Sequence, residues 1–261
     1  MASRITPTGA GVKGLVYSAV AQTEAGITVK GCRIFGTADN TSGYLLTFTN
    51  ASDIHLEDLN VRQSAGSGII FDFCIQCFVI RTRIESVAVY GLKATNQSNS
   101  SGIYWSSYQV NLETDIADAA IFIGGGTQGF DIHNVNIEGG ITGVLLDNVA
   151  SVTIQNPWFE LLTGSPVKAT GVVHLIKIED GVIHGTNSVR IDFSAVTTAS
   201  NISIKRIHFA TLGTGFTLFH PGASTCFDFD QNTYSTTTGS LAASVFGYSL
   251  VTPVLLEGTN F

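Results

Sequence analysis

The chain has 261 residues, enough to bury a substantial core as one domain or as a stack of repeats, and carries a formal net charge of −7. Charged residues make up only 13% and glycine accounts for 28 positions. That describes a surface of hydroxyls and amides, and the acidic balance argues against a nucleic-acid partner, which needs a basic patch. No apolar run approaches the ~18 residues of a membrane span, and the opening MASRITPTGAG lacks the apolar centre of a secretory signal.

Residues 1–24 read as a lead-in or cap. From residue 25 one pattern recurs, an apolar residue followed three and five positions later by further inward-facing residues. In chain order it gives Val29/Cys32/Ile34, Leu56/Leu59/Val61, Val79/Thr82/Ile84, Ile132/Val135/Ile137, Ile154/Pro157/Phe159, Ile178/Gly181/Ile183 and Ile204/Ile207/Phe209. The anchors are 27, 23, 53, 22, 24 and 26 residues apart, so the 53 stands for two coils, the unclear one falling around YQVNLETDIADAAIFIGGG. After glycine- or serine-containing turns come second strands such as GYLLTF, GIIFDF, GLKAT, AAIFIG, GVLLDN, SVRIDF and GFTLF. Residues 226–261 stay β-rich and apolar but lose the period.

Short strands repeating every 22–27 residues with no helix between them predict an all-β fold, a parallel β-solenoid over 25–225. A leucine-rich repeat has a similar period but needs a leucine-asparagine signature that is missing. In a solenoid equivalent positions stack at about 4.8 Å, so inward columns form the core and outward columns a surface strip.

Two outward columns matter. The residue after the last core position reads Phe35, Arg62, Glu85, an unassigned coil, Glu138, Glu160, His184 and Ala210. The one two positions earlier reads Arg33, Asn60, Arg83, then Asn136, Trp158, Val182 and His208. The unassigned coil offers Glu113, Asp115 or Asp118, with Tyr104, Trp105 and Tyr108 near in sequence. Stacked carboxylates repel one another, so their presence on neighbouring rungs requires a reason. One reading is a solvated face that tolerates glutamate beside Arg83 and Asn136. The other is a carbohydrate site, in which two carboxyl groups flank a glycosidic bond and Trp158 supplies an apolar platform. One rung of separation approximates the ~5 Å of a retaining pair and two rungs the ~6.5–9.5 Å of an inverting pair.

Other polar residues read as structural. Asp72, Asp147 and Asp192 each fall near the end of a second strand, where Asp commonly satisfies turn amides, and His133 reads as a turn or edge residue. Cys74 and Cys77 have no second pair and no neighbouring histidine, which makes them core thiols in place of a redox or zinc motif; Cys32 and Cys226 are scattered. No His/Asp/Glu triplet has metal-site spacing, and no cofactor is expected.

The glycine-punctuated coils, the phrases VTIQNPWFE and NVNIEGGITGVLLDN, and the Thr/Ser-rich C-terminal part resemble the right-handed, single-stranded parallel β-helix of bacteriophage tailspikes, within the pectate-lyase-like superfamily. The resemblance covers roughly 25–225. It implies a homotrimeric virion protein of the phage tail that acts at the host surface, binds bacterial capsule or O-antigen, and often hydrolyses it with paired carboxylates. Carried onto this chain, it implies Glu138 and Glu160 as the preferred catalytic pair with Glu85 as a further candidate, and Trp158, Asn136, Arg83, His184 and Trp105 for substrate. The tail 226–261 then becomes a trimerisation region, and the short lead-in suggests a fragment or a spike seated on a virion adaptor. Of the polygalacturonase motifs only His184-Gly185 is present, and no lyase-type acidic cluster is evident. The alternative is a spike that binds glycan without cleaving it.

Overall fold

The computed structural model describes residues 3–5, 14–36, 43–96, 105–108, 111–113, 118–185, 189–212, 217–220, 222–223 and 227–236, and all of its regular structure is β. Of the tail 226–261, expected to lose the period and to hold subunits together, Cys226 and 237–261 lie outside the described residues, whereas Phe227–Asp230 and Thr233–Thr236 pair in parallel with the preceding coil. Among the described residues no helix is long and apolar enough to cross a membrane.

Short strands stack in parallel into a ten-stranded sheet whose middle members are Cys32–Phe35, Asn60–Ser64, Arg83–Val87, Asn111–Glu113, Asn136–Glu138, Trp158–Glu160, Val182–His184 and His208–Leu212. Their register is continuous: Arg33 pairs with Asn60, then Arg83, Asn111, Asn136, Trp158, Val182 and His208 in turn. Seven such steps make a β-solenoid of about seven turns. The 53-residue gap is two coils, and the coil that the sequence left unassigned is Asn111–Glu113, aligned between Arg83–Glu85 and Asn136–Glu138.

The second sheet has thirteen strands and differs from expectation in one respect. In four coils the segment read as a separate second strand and the next anchor form one continuous strand, Tyr44–Glu57, Thr142–Gln155, Val167–Glu179 and Val189–Lys205, whereas Ser67–Asp72, Tyr90–Thr95 and Ala119–Gly124 are separate as expected. The strand Thr142–Gln155 turns at Asn148 and Ser151, both left-handed with φ of 53° and 58°, and earlier coils turn likewise at Asn50 and Asp53 and at Phe73 and Gln76. Asn and Asp tolerate this conformation because a short polar side chain bonds locally. A third corner leads into seven of the short strands through another left-handed residue: Gly31, Asp58, Arg81, Asn134, Asn156, Asp180 or Arg206. Side chains stacked there bind one another. Arg81 Nε donates to Asp58 Oδ1 at 2.7 Å, Arg206 Nε to Asp180 Oδ1 at 2.5 Å, and Asn156 Nδ2 to Asn134 Oδ1 at 2.5 Å.

The core follows the expected columns. Ile34, Val61, Ile84, Ile137, Phe159, Ile183 and Phe209 are fully buried one above another, which fixes the register of the short strands. Large and small residues alternate to fill space: a Cβ on Gly143 would come within 2.7 Å of the Phe159 ring, so that ring requires glycine opposite it. Cys32, Cys74 and Cys77 are free, buried thiols, with Cys74 Sγ donating to the Phe48 carbonyl at 3.3 Å. Asp72, Asp147 and Asp192 brace turns, accepting from Asn96 Nδ2 (3.0 Å), Thr170 Oγ1 (2.8 Å) and the Ser194 amide (2.9 Å) respectively.

Candidate functional site: an outward strip on the short-strand sheet

Because side chains alternate along a strand, the residues on either side of each core position point outward together. The first outward column runs Arg33, Asn60, Arg83, Asn111, Asn136, Trp158, Val182, His208, and Arg4 pairs with Arg33 at its start. The second runs Phe35, Arg62, Glu85, Glu113, Glu138, Glu160, with His184 and Ala210 on the rungs that follow. Glu85, Glu113, Glu138 and Glu160 therefore occupy four consecutive rungs spaced about 4.8 Å apart.

Toward the C-terminal end the strip gathers three expected residues. Trp158 and Glu160 lie two apart on a three-residue strand, with Phe159 between them plugged into the core, so both face outward. The Trp158 indole Nε1–H donates to Glu160 Oε2 at 3.1 Å, leaving the ring 44% exposed. From the next rung His184 brings Nδ1 to 4.0 Å from Glu160 Oε1. One rung in the other direction lies Glu138, half-buried and in register with Glu160. Beside it Asn136 holds a buried Oδ1 with no hydrogen-bond partner among the described residues. Leu161, directly after Glu160, is exposed and left-handed with φ of 55°.

Behind this end lies a residue the sequence did not single out. Arg190 is completely buried and donates from Nη2 to the carbonyl of Gly185, next to His184. Its Nε and Nη1 have no hydrogen-bond partner among the described residues, and burial lowers its pKa to about 10. An alternating outward/inward reading of the coil could not find it, because it sits where the neighbouring coils carry Gly143 and Pro166, at a buried corner.

Toward the N-terminal end the arrangement changes. Glu85 is only 3% exposed and is ion-paired with two arginines. Arg62 Nε contacts Oε1 and Arg83 Nε lies 2.7 Å from Oε2. The Arg62 guanidinium also lies over the Phe35 ring, 5.8 Å from its centroid. A carboxylate so enclosed anchors its neighbours and has little access to a ligand.

The remaining expected residues fall elsewhere. Trp105 belongs to Trp105–Tyr108, a strand of the other sheet, where it is in register with Phe130. Tyr104 and Asp115 lie outside the described residues, and Asp118 is exposed just before the strand Ala119–Gly124. An open groove of about 170 Å³, bordered by Gly126, Asn148, Ala150 and His174, lies at the bend of the long strands and shares no residue with the strip. Among the described residues no group of three His, Cys, Asp or Glu is placed to hold a metal ion. No family model matches the chain, and neither a curated protein nor a solved structure matches it.

Proposed function

We propose that the strip is a carbohydrate site, and that the chain is a tailspike-like protein which binds a bacterial surface polysaccharide and hydrolyses its glycosidic bonds with Glu138 and Glu160. The observation that carries this reading is the grouping around Glu160: an exposed indole hydrogen-bonded to a carboxylate, a histidine on the next rung, and a second carboxylate in register one rung away. An indole offers an apolar face to a sugar ring while its N–H orients the acid beside it. Adjacent rungs are about 4.8 Å apart, close to the ~5 Å separation of a retaining pair. In that reaction one carboxylate attacks the anomeric carbon as the other protonates the leaving oxygen. Water then cleaves the glycosyl ester, with the second residue taking the water's proton. His184 and Asn136 border the pair and suit the positioning of hydroxyls.

The enclosure of Glu85 favours a supporting role for it, holding Arg62 and Arg83 in place. Assembly as a homotrimer on a virion through the C-terminal tail is what the resemblance to tailspikes implies and belongs to the same proposal. The decisive measurement is release of reducing ends from capsule or O-antigen preparations. Release by the parent protein and its loss in Glu138→Gln and Glu160→Gln, with glycan binding retained, is the expected outcome. If binding occurs and no glycan is cleaved, the chain is a receptor-binding spike without catalysis. If both variants cleave at the parent rate, the reaction happens elsewhere.

A further inference from the structure

The strip is bipolar. Of the chain's seven arginines, four (Arg4, Arg33, Arg62 and Arg83) occupy the column positions of its first rungs, and three of its eight glutamates (Glu113, Glu138 and Glu160) occupy the rungs that follow. In a protein of net charge −7 with only 13 basic residues, this is a marked concentration of positive charge. The single acid among those first rungs is Glu85, and it is spent inward: 3% exposed, it binds Arg62 and Arg83 through their Nε atoms. Both arginine side chains remain partly exposed, at 38% and 46%. Arg62 is braced further by the Phe35 ring, and Arg33 is exposed one rung away from Arg62. Asn60, between Arg33 and Arg83 in the same column, has a buried Oδ1 without a hydrogen-bond partner among the described residues.

Fixing two arginines on one buried carboxylate removes much of the rotamer entropy that arginine ordinarily loses on gripping a ligand. Planar, pre-oriented guanidinium groups match carboxylate and phosphate oxygens better than any other side chain does. We infer that Arg33, Arg62 and Arg83 form an anion-recognition site, held by Glu85, for a negatively charged substituent of the polysaccharide: a sugar carboxylate or a phosphodiester. This rests on reading the strip as a glycan site. Arg83 lies two rungs, about 10 Å, from Glu138, so one extended chain can place its anionic group on the arginines and a glycosidic bond between Glu138 and Glu160. Such a layout selects acidic polymers and sets which of their bonds meets the carboxylates.

Fluorescently labelled oligomannuronate, glycerol-phosphate oligomer and neutral dextran oligomer, titrated against the full chain at low and high salt, test the inference. At least one anionic probe should bind well above dextran and weaken as salt rises. Arg62→Gln with Arg83→Gln should weaken that probe by about tenfold or more, the scale of a charge-assisted hydrogen bond. Arg33→Gln, outside the Glu85 contacts, should do so by a smaller factor with the melting temperature unchanged, which separates recognition from folding. Preference for the carboxylate over the phosphate probe, or the reverse, identifies the substituent. Equal binding of dextran, binding of no anionic probe, or affinity indifferent to all three arginines overturns the inference. Neutral binding that depends on Trp158 but on no arginine would overturn it and leave the glycan reading standing. Binding of the glycerol-phosphate oligomer that depends on the arginines, from a protein that neither binds nor cleaves any glycan, would overturn the glycan reading and with it the assignment of the anion to a polysaccharide.

Discussion

Glu85 and Glu160 occupy the same column of the same sheet, four residues after the same left-handed corner, yet they live in different chemical settings. Glu85 has an arginine on the preceding rung and another two positions before it in its own strand, and it disappears beneath them. Glu160 has tryptophan in the place of that second arginine and histidine on the following rung, and it stays accessible. Backbone position therefore sets only where a side chain starts. Whether it becomes a buried anchor or an accessible carboxylate is decided by the residues one rung away, which the solenoid brings near from 22 to 28 positions along the chain.

The largest effect that tests this contrast comes from beneath it. Phe159→Ala empties a fully buried site between Trp158 and Glu160 and should cost about 3–5 kcal/mol in chemical unfolding. It should disorder the Glu160 end while leaving the Arg62–Glu85–Arg83 contacts detectable by hydrogen exchange, and equal loss of protection at both ends would show that the two are one cooperative unit. Next comes Glu160→Gln, which in the proposed hydrolysis lowers the rate by about 10²–10⁴ with the melting temperature nearly unchanged. Glu85→Gln should behave in the reverse way. It leaves two half-exposed arginines without their shared acceptor and should destabilise by about 1–3 kcal/mol, with any remaining turnover affected mainly through substrate affinity. A Glu85→Gln protein as stable as the parent would mean that the buried carboxylate is no anchor.

The smallest effect concerns acid. Side-chain hydrogen bonds from Arg81 and Arg206 hold the carboxyls of Asp58 and Asp180 below their ordinary value of 3.8. A depressed folded value means that the stabilisation is complete above the unfolded range and is lost as pH falls through the folded value. Thermal stability attributable to these corner clamps should be flat near neutrality and decline only below about pH 4. Asp180→Asn should remove part of that acid dependence, and because the groups are exposed the change is expected to be slight.

Much of the fold was legible because a solenoid writes its register into the sequence. Ile137, Phe159 and Ile183 repeat at nearly constant spacing, and each proved buried where the pattern put it. The coil at Asn111–Glu113 was obscured because Val110 and Leu112 sit among polar residues, and only pairing with its neighbours on both sides identifies Glu113 as a member of the column. The continuous strands such as Thr142–Gln155 were read as two pieces because polar, left-handed residues like Asn148 look like turns, whereas they act as bends within an unbroken ladder. Within the candidate site, alternation placed Trp158, Glu160 and His184 on one face. The burial of Glu85 was not legible, since it depends on how Arg62 and Arg83 lean, and Trp105 was drawn in by nearness in sequence although its strand belongs to the other sheet.

The fixed interval between corner and column has a further consequence. Asp58 precedes Arg62 by four residues, as Arg81 does Glu85, Asn134 does Glu138, Asn156 does Glu160 and Asp180 does His184, although the coils themselves differ in length. Extra residues are accommodated on the other sides of the coil and never reach this face. The strip thus behaves as a ruler whose graduations keep their pitch while each mark can be re-inscribed independently. In the proposed function a polymer laid along it would be compared with a rigid sequence of chemical groups, and exchanging one residue would alter what is read at that mark without displacing its neighbours.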